Sequence, residues 1–481
     1  MAVFPASLFL VVASGFPLLA GPADDPPSPR KVAAVGFVAA LEPSLVRLSD
    51  QVWEFAETAL RETRSSRVLA DWAESRGFRV ARGVAEMPTA FTAEFGEGRP
   101  VIAILGEFDA LPGLSQKAEP GKSPRVEGGA GHGCGHNLFG AASLGAADAL
   151  RQLVASGELR GTVRYYGCPA EESVGGKLYM IRAGLFADVD VAIAWHPSNE
   201  TRADTKSSQS MVDFFVDFRG KAAHAAYDPW NGRSALDGLE IFTFALNQMR
   251  EHVPPTVRMH YTVLDGGDVP NVIPEHARLW CWLRDSKKAG VESLLARARE
   301  IAKGAALAAG VESEIRIQGG SYEMLVNMTG ARRIHANFEW LGAIPFSESD
   351  AEFARTLQRA TGVETSGLRA AVEPFDEHPG EPEGGSTDVA DVSWIVPTLH
   401  MSVTTAPAKT PWHAWPVVAC AGMSIGHKGM VHAAKAIAAT AVDLFEDEAL
   451  RQEIRSEFDK STAGHAYRGF TPDGPPPVPR D

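Results

Sequence analysis

Cysteine is scarce in this chain: four residues in 481, at positions 134, 168, 281 and 420. That excludes a disulfide-built scaffold, and each thiol has to be explained by its own surroundings. Positive charge is short as well, with 46 Lys and Arg against 60 Asp and Glu, a formal net charge of −14 and no basic block anywhere. Nucleic acid and anionic membrane surfaces are therefore not expected as partners. Beyond the N-terminus no apolar run reads as long enough to span a membrane. The Gly-rich loop Gly384-Gly385-Ser386-Thr387-Asp388 lacks the Gly-Lys-Ser/Thr that would make it a phosphate cradle, so nucleotide binding is not supported. What remains is an ordinary globular composition, 45% hydrophobic and 22% charged. The length suggests two or three units at roughly 150 residues each.

The ends read separately. Residues 1–23, MAVFPASLFLVVASGFPLLAGPA, carry no charged side chain and close on a small-residue site at Gly21-Pro22-Ala23. They are expected to be a signal peptide, so the chain would be exported, periplasmic or extracellular, and free of the membrane after processing. Against this, no Lys or Arg precedes the apolar run, and Pro5 and Pro17 interrupt it, which keeps a cytoplasmic protein as the alternative. The Pro-rich tail, 471–481, should be extended and carry no chemistry.

Between the ends, residues 26–77 show apolar residues at helical spacing. Three short apolar runs follow, VIAIL (101–105), TVRYYG (162–167) and VAIAW (191–195), separated by helical stretches as in a sheet with helical crossovers. Ligand-type residues come directly after each run: Glu107 and Asp109, then Cys168, Glu171 and Glu172, then His196. That edge of an α/β sheet is where active sites form. From 211 to 322 the order changes to β-α-β-β-α-β, the ferredoxin-like arrangement of a compact inserted domain. The expected fold class is therefore α/β: a mixed-sheet catalytic unit with helices on both faces, made of residues 24–210 and 323–470, carrying a lid at 211–322.

His132-Gly-Cys134-Gly-His136-Asn137 is the densest cluster of ligand-type residues. On extended backbone, residues two apart share a side about 6.5–7 Å apart, so two of the three could meet one ion or two adjacent ions. Thiolate and imidazole suit Zn, and added carboxylates would also admit Mn. The alternative is a Gly-rich turn with a buried thiol. Adjacent Glu171 and Glu172 would point apart on extended backbone, one ligating metal while the other serves as general base toward a water whose pKa the metal lowers. A solvated acidic pair is the plainer reading of Glu-Glu, and a hydrogen-bonded side chain the plainer reading of His196. Asp109 could orient a ligating imidazole. His224, Asn271 and Arg284 of the inserted segment offer an imidazole, an amide and a cation for a substrate carboxylate and a developing oxyanion, unless Arg284 merely pairs with Asp285. His413 and His427 are both available as late ligands.

These motifs resemble the dinuclear metal amidohydrolases and exopeptidases that include aminoacylases, glutamate-releasing carboxypeptidases and auxin-conjugate hydrolases, and within them the p-aminobenzoyl-glutamate branch. The residues carrying the resemblance are GEFDALPGLSQ, GHGCGHNLFGAA, TVRYYGCPAEESVGGK, AWHP, FRGKAAHAA, PNVIPEHA, STDVADVSW and WHAWPVVACAGMSIGHKGM, in the family's order from about 100 to 440. The resemblance implies that two divalent ions, Zn or Mn, are held by Cys134, His136, Glu172, His196 and a late histidine, taken as His413 with His427 as runner-up. It implies Glu171 as general base, and His224, Asn271 and Arg284 as substrate-binding residues of the lid, His224 acting across a homodimer interface and stabilising the oxyanion as a catalytic residue. Asn137 stands where many family members have Asp. The implied substrate is a small N-acyl or N-aroyl amino acid, with a dipeptide as alternative, and a homologous second subunit is the alternative to a homodimer. Two rivals lie outside this reading: a cysteine hydrolase using Cys134 with His136 or His132, and a non-catalytic binding protein on the same fold.

Overall fold

The computed structural model describes residues 26–382 and 384–479. The expected signal peptide lies outside them. Eleven strands form two sheets: β1 (Arg79–Arg82), β2 (Phe91–Glu97), β3 (Val101–Glu107), β4 (Gly161–Cys168), β5 (Val191–Ser198), β6 (Arg202–Ala203), β7 (Ser210–Arg219), β8 (Arg258–Asp265), β9 (His276–Asp285), β10 (Glu312–Ser321) and β11 (Thr398–Thr404). The larger sheet has the order β1-β2-β4-β3-β5-β11-β6. Its centre, β4-β3-β5-β11, is parallel, and its margins are antiparallel, so the sheet is mixed.

Every residue of β3 is buried, which requires cover on both faces and explains its unbroken apolar run. Helices Pro29–Phe55, His136–Ala155 and Ser424–Glu446 pack on one another, and the latter two lie against this sheet. In the first of these, Ala34, Val38, Leu45, Leu48 and Val52 recur at three-, four- and seven-residue steps and are buried in the core. By length and by its most apolar 18 residues, at mean hydropathy 1.5, this 27-residue helix could cross a membrane, contrary to the expectation that no run beyond the N-terminus is long enough. Its apolar stripe is instead one wall of the core.

Register sets the position of the chemistry. Glu107 of β3 lies opposite Cys168 of β4, so the two strands end level and the loops after them leave at the same edge. His196, near the end of β5, lies opposite Ser402 of β11.

The second sheet, order β10-β7-β9-β8, is wholly antiparallel. Helices Ala235–Met249 and Lys288–Ala309 cover one face, giving the β-α-β-β-α-β order. Strand β9 alternates strictly: Ala277, Leu279, Cys281 and Leu283 enter a separate apolar core, while His276, Arg278, Trp280, Trp282 and Arg284 stand on the other face, half-buried. Phe470, beyond the last helix, also packs into that core. Arg182 donates to the carbonyls of Pro472 and Gly474, so the tail, expected to be extended, is pinned there.

Candidate metal centre and active site

The backbone at the two densest motifs departs from the extended form that their spacing suggests. Residues 132–135 make a turn, and His136 is the first residue of a helix. Gly135 stands at φ +77°, and a Cβ there would come within 3.0 Å of Pro197, so glycine is what lets the turn close beside β5. Likewise Glu171 and Glu172 lie in a turn that follows Ala170 at φ +60°. The two carboxylates diverge because the chain turns there. Buried Glu62, which no sequence motif marks, accepts the Ala170 N–H at 3.0 Å and so holds that turn.

The side chains converge at the sheet edge. Cys134 Sγ is 3.3 Å from His196 Nε2, and His196 Nδ1 donates to the Pro197 carbonyl at 2.7 Å, which leaves Nε2 as the lone-pair nitrogen. His136 Nδ1 donates to Asp109 at 2.9 Å, and the other Asp109 oxygen accepts the Glu172 N–H at 2.9 Å. One carboxylate therefore orients both an imidazole and the glutamate turn. His413 Nε2 lies 3.4 Å from Glu172 Oε2, and the His413 N–H donates to the Gly133 carbonyl, with its own φ at +53°.

Three overlapping sets bring ligand atoms within 4.8 Å of one another: Cys134, His136 and His196; Cys134, Glu172 and His413; Glu107, His136 and Glu171. Buried Glu107 Oε2 and His136 Nε2 lie 3.1 Å apart without forming a hydrogen bond, and buried Glu172 Oε1 has no hydrogen-bond partner. Orphaned polar atoms of this kind are costly in a folded protein, and a cation among them supplies what they lack. The soft and hard donors, S, N and O, fit Zn or Mn.

The electrostatics agree with that fit. Glu107, Asp109, Glu171, Glu172 and Asp388 stand against one ammonium, Lys177, which is fully buried between Glu107 and Asp388 (2.5 and 2.7 Å). Burial pushes the Glu172 carboxyl up to about 7, with Asp109 and Glu107 adding to the shift and His136 opposing it. Burial, then the charges of Glu107, Glu172 and Asp388, holds Glu171 well above the usual carboxylate range. Burial and the positive side of His136 lower His196 to about 4, keeping it a neutral donor. The site is short of positive charge, which divalent cations would restore.

A family model described as peptidase family M20/M25/M40 matches residues 103–413. The chain belongs to this family. It is therefore a metal-dependent hydrolase of amide bonds. One of the p-aminobenzoyl-glutamate hydrolase subunits of Escherichia coli is 36% identical, over 90% of this chain and 95% of that protein. Human Xaa-Arg dipeptidase is 31% identical, over 85% of this chain and 88% of its own. Among solved structures, a dinuclear metal-binding M20 peptidase from Bacillus subtilis shares the fold at TM-score 0.59 and 20% identity, covering 85% of this chain and 99% of that one.

The other residues singled out in this M20 chain lie elsewhere. His132 Nε2 donates to the Val52 carbonyl at 3.0 Å, and burial holds the ring near pKa 4, so it is packed away from the cluster. Asn137 donates to Ser49 and the Ala421 carbonyl, a structural use. His427 pairs with Asp50 at 2.8 Å, away from His413 and Glu172. Cys168, Cys281 and Cys420 are buried free thiols. His224 and Asn271 are on the inserted segment, outside the cluster, and His224 Nδ1 accepts from the Ala226 and Tyr227 N–H groups. Arg284 does not pair with Asp285, which takes Thr256 and Ser286 instead. It reaches across to Ser386 at 2.7 Å, and its charge helps lower His413, after burial and His136.

Proposed function

We propose that this enzyme hydrolyses the amide between an acyl or aroyl group and an amino acid, at two divalent ions held by Cys134, His136, Glu172, His196 and His413. The observation that carries the reading is the convergence of those donors, with Glu171 beside them, on one sheet edge. Such ions lower the pKa of a water and polarise a carbonyl oxygen. Glu171 takes a proton from the attacking water and delivers it to the departing nitrogen, so amide and water become a carboxylate and an amine. Asp109 fixes His136 and the glutamate turn, and Lys177 holds Glu107 in place while also pairing with Asp388. Arg284 receives the substrate carboxylate.

His224 stabilises the developing oxyanion from a second copy of the chain, and Asn271 binds substrate. A homodimer is supported by apolar side chains exposed on the same segment, including Tyr227 at 81%, Trp230 at 72% and Phe244 at 66%. The E. coli relative is named as a subunit, so pairing with a homologous second chain is the competing arrangement. The division into a catalytic unit (24–210 and 323–470) and a lid (211–322), and export after loss of residues 1–23, belong to the same proposal.

Two observations weigh against a cysteine hydrolase. The Cys134 thiol is pushed far up by burial and by Glu172, opposite to what a thiolate nucleophile needs. His132, one of its candidate bases, is spent on the Val52 carbonyl.

The test is amine release over a panel of N-acyl and N-aroyl amino acids and dipeptides, with metal analysis of the same sample. Release from N-aroyl amino acids supports the reading; turnover of dipeptides alone turns it into a dipeptidase. His413→Ala should lower metal affinity by more than the roughly 10- to 100-fold typical of supporting residues, whereas His427→Gln should leave metal content unchanged. The reverse pattern would reassign the late ligand.

A further inference from the structure

The open face of the second sheet carries charge in two very different states. Around Asp217, fully buried, the His276 imidazole and the Arg278 and Arg316 guanidiniums converge at 2.9, 2.7 and 2.8 Å, so that each guanidinium has an acid. A few residues along the same strands the acids stop. Arg258 of β8 and Arg284 of β9 are directly opposite in the register, and His260 and Trp282 form the next pair on that face. Like charges placed opposite on neighbouring strands repel, so such a pair needs a compensating anion.

None is present among the described residues. Arg258 donates to the carbonyls of Pro255 and Val257, Arg250 to Asn247 and the Met259 carbonyl, and Arg284 to the Ser386 hydroxyl. In a chain with 60 acids to 46 bases, three neighbouring guanidiniums without a carboxylate are out of keeping with the composition. Their proximity is felt at His260, which burial and then Arg284, Arg250 and Arg258 hold below its usual range. The Arg284 guanidinium lies over the Trp282 ring at 5.1 Å, which restrains its plane. Its bond to Ser386 brings this end of the sheet to the loop that ends at Asp388, the partner of Lys177.

We propose that Arg258 and Arg284, flanked by His260, form a subsite for a second anionic group of the substrate, so that the enzyme selects amides whose amino-acid half is a dicarboxylate. The inference rests on the amide-hydrolase reading above and deepens it. Arg258 is the added element: one guanidinium suffices for the α-carboxylate common to every N-acyl amino acid, and a cross-strand pair is what a second carboxylate requires. The same charges disfavour a substrate ending in a cationic residue.

The experiment compares the metal-loaded full chain with Arg258→Gln and Arg258→Lys on N-benzoyl-glutamate and N-benzoyl-glutamine. Arg258 is exposed on an edge strand, so both variants are expected to fold. Arg258→Gln should raise KM for the glutamate conjugate by about 10- to 100-fold, the worth of one charge-assisted hydrogen bond, with kcat and the glutamine conjugate within about twofold. Arg258→Lys should restore most of the loss. A second readout needs no turnover: calorimetric binding of glutarate against butyrate, in which wild type prefers the dianion and Arg258→Gln does not. Equal loss on both conjugates, or equal binding of glutarate and butyrate by wild type, overturns the proposal. A retained glutarate preference in a protein that cleaves no amide would leave the subsite standing and sink the hydrolase reading.

Discussion

Two regions of the molecule hold unbalanced charge of opposite sign, and a third shows what balance looks like. At the edge of the larger sheet, Glu107, Asp109, Glu171, Glu172 and Asp388 crowd around one lysine and leave three buried polar atoms without a hydrogen bond. On the open face of the second sheet, Arg250, Arg258 and Arg284 gather without an acid. Between them in character lies Asp217, in contact with two guanidiniums and an imidazole. The comparison separates structural charge from functional charge. Where folding alone is served, partners are present; where a ligand is to arrive, its charge is missing from the protein. The excess acid calls for divalent cations, and the excess base for a carboxylate.

The strongest way to break the comparison is at the base. Glu171→Gln keeps shape and metal donors but removes the proton acceptor, and should lower amide hydrolysis by about 10²- to 10⁴-fold with metal content intact. A variant that stays within a few-fold of wild type would place Glu171 with the structural acids. Next comes Lys177, the ammonium held between Glu107 and Asp388 in the acidic region. Lys177→Met leaves Glu107 and Asp388 buried without their counter-charge and should destabilise the protein by about 3–5 kcal/mol in denaturant melts. Little change would mean the acids there tolerate one another.

An effect confined to pH dependence lies at Asp391, a buried acid outside both regions. Burial pushes it up to about 8 from 3.8, although Tyr467 and the Tyr322 N–H donate to it. Between those values the folded chain keeps a proton that the unfolded chain has released, so this group makes stability fall as pH rises from roughly 4 to 8. Asp391→Asn should flatten that slope in thermal melts taken across the window. An unchanged slope would remove Asp391 from the account.

Much of the site is legible in the sequence because it sits at strand ends. Runs such as VIAIL and VAIAW mark buried parallel strands whose ends supply Glu107 and His196. What is not legible depends on distance or on backbone turns. Lys177 reaches Glu107 across 70 residues and Asp388 across 211, and no local pattern announces either bond. Glu62 is the same case, an acid in an unremarkable helical stretch that supports Ala170 108 residues away. Strands β1 and β2 escape because RVAR is short and exposed and FTAEFGE ends in a polar, half-exposed stretch, so neither shows the buried run of β3. Spacing at 132–136 and 170–172 suggests extended backbone, whereas positive φ at Gly135 and Ala170 turns both. His413 can be singled out by residue type, but its approach to Glu172 depends on a loop conformation, again at positive φ.

The central claim is that the acidic cluster works only when two cations occupy it. The direct test is to strip the protein with a chelator, add Zn or Mn back stepwise, and follow bound metal and amide hydrolysis on the same sample. The account predicts no activity in the stripped protein and its return as the second equivalent binds, with folding retained throughout. Full activity after stripping, with no metal bound, would contradict it.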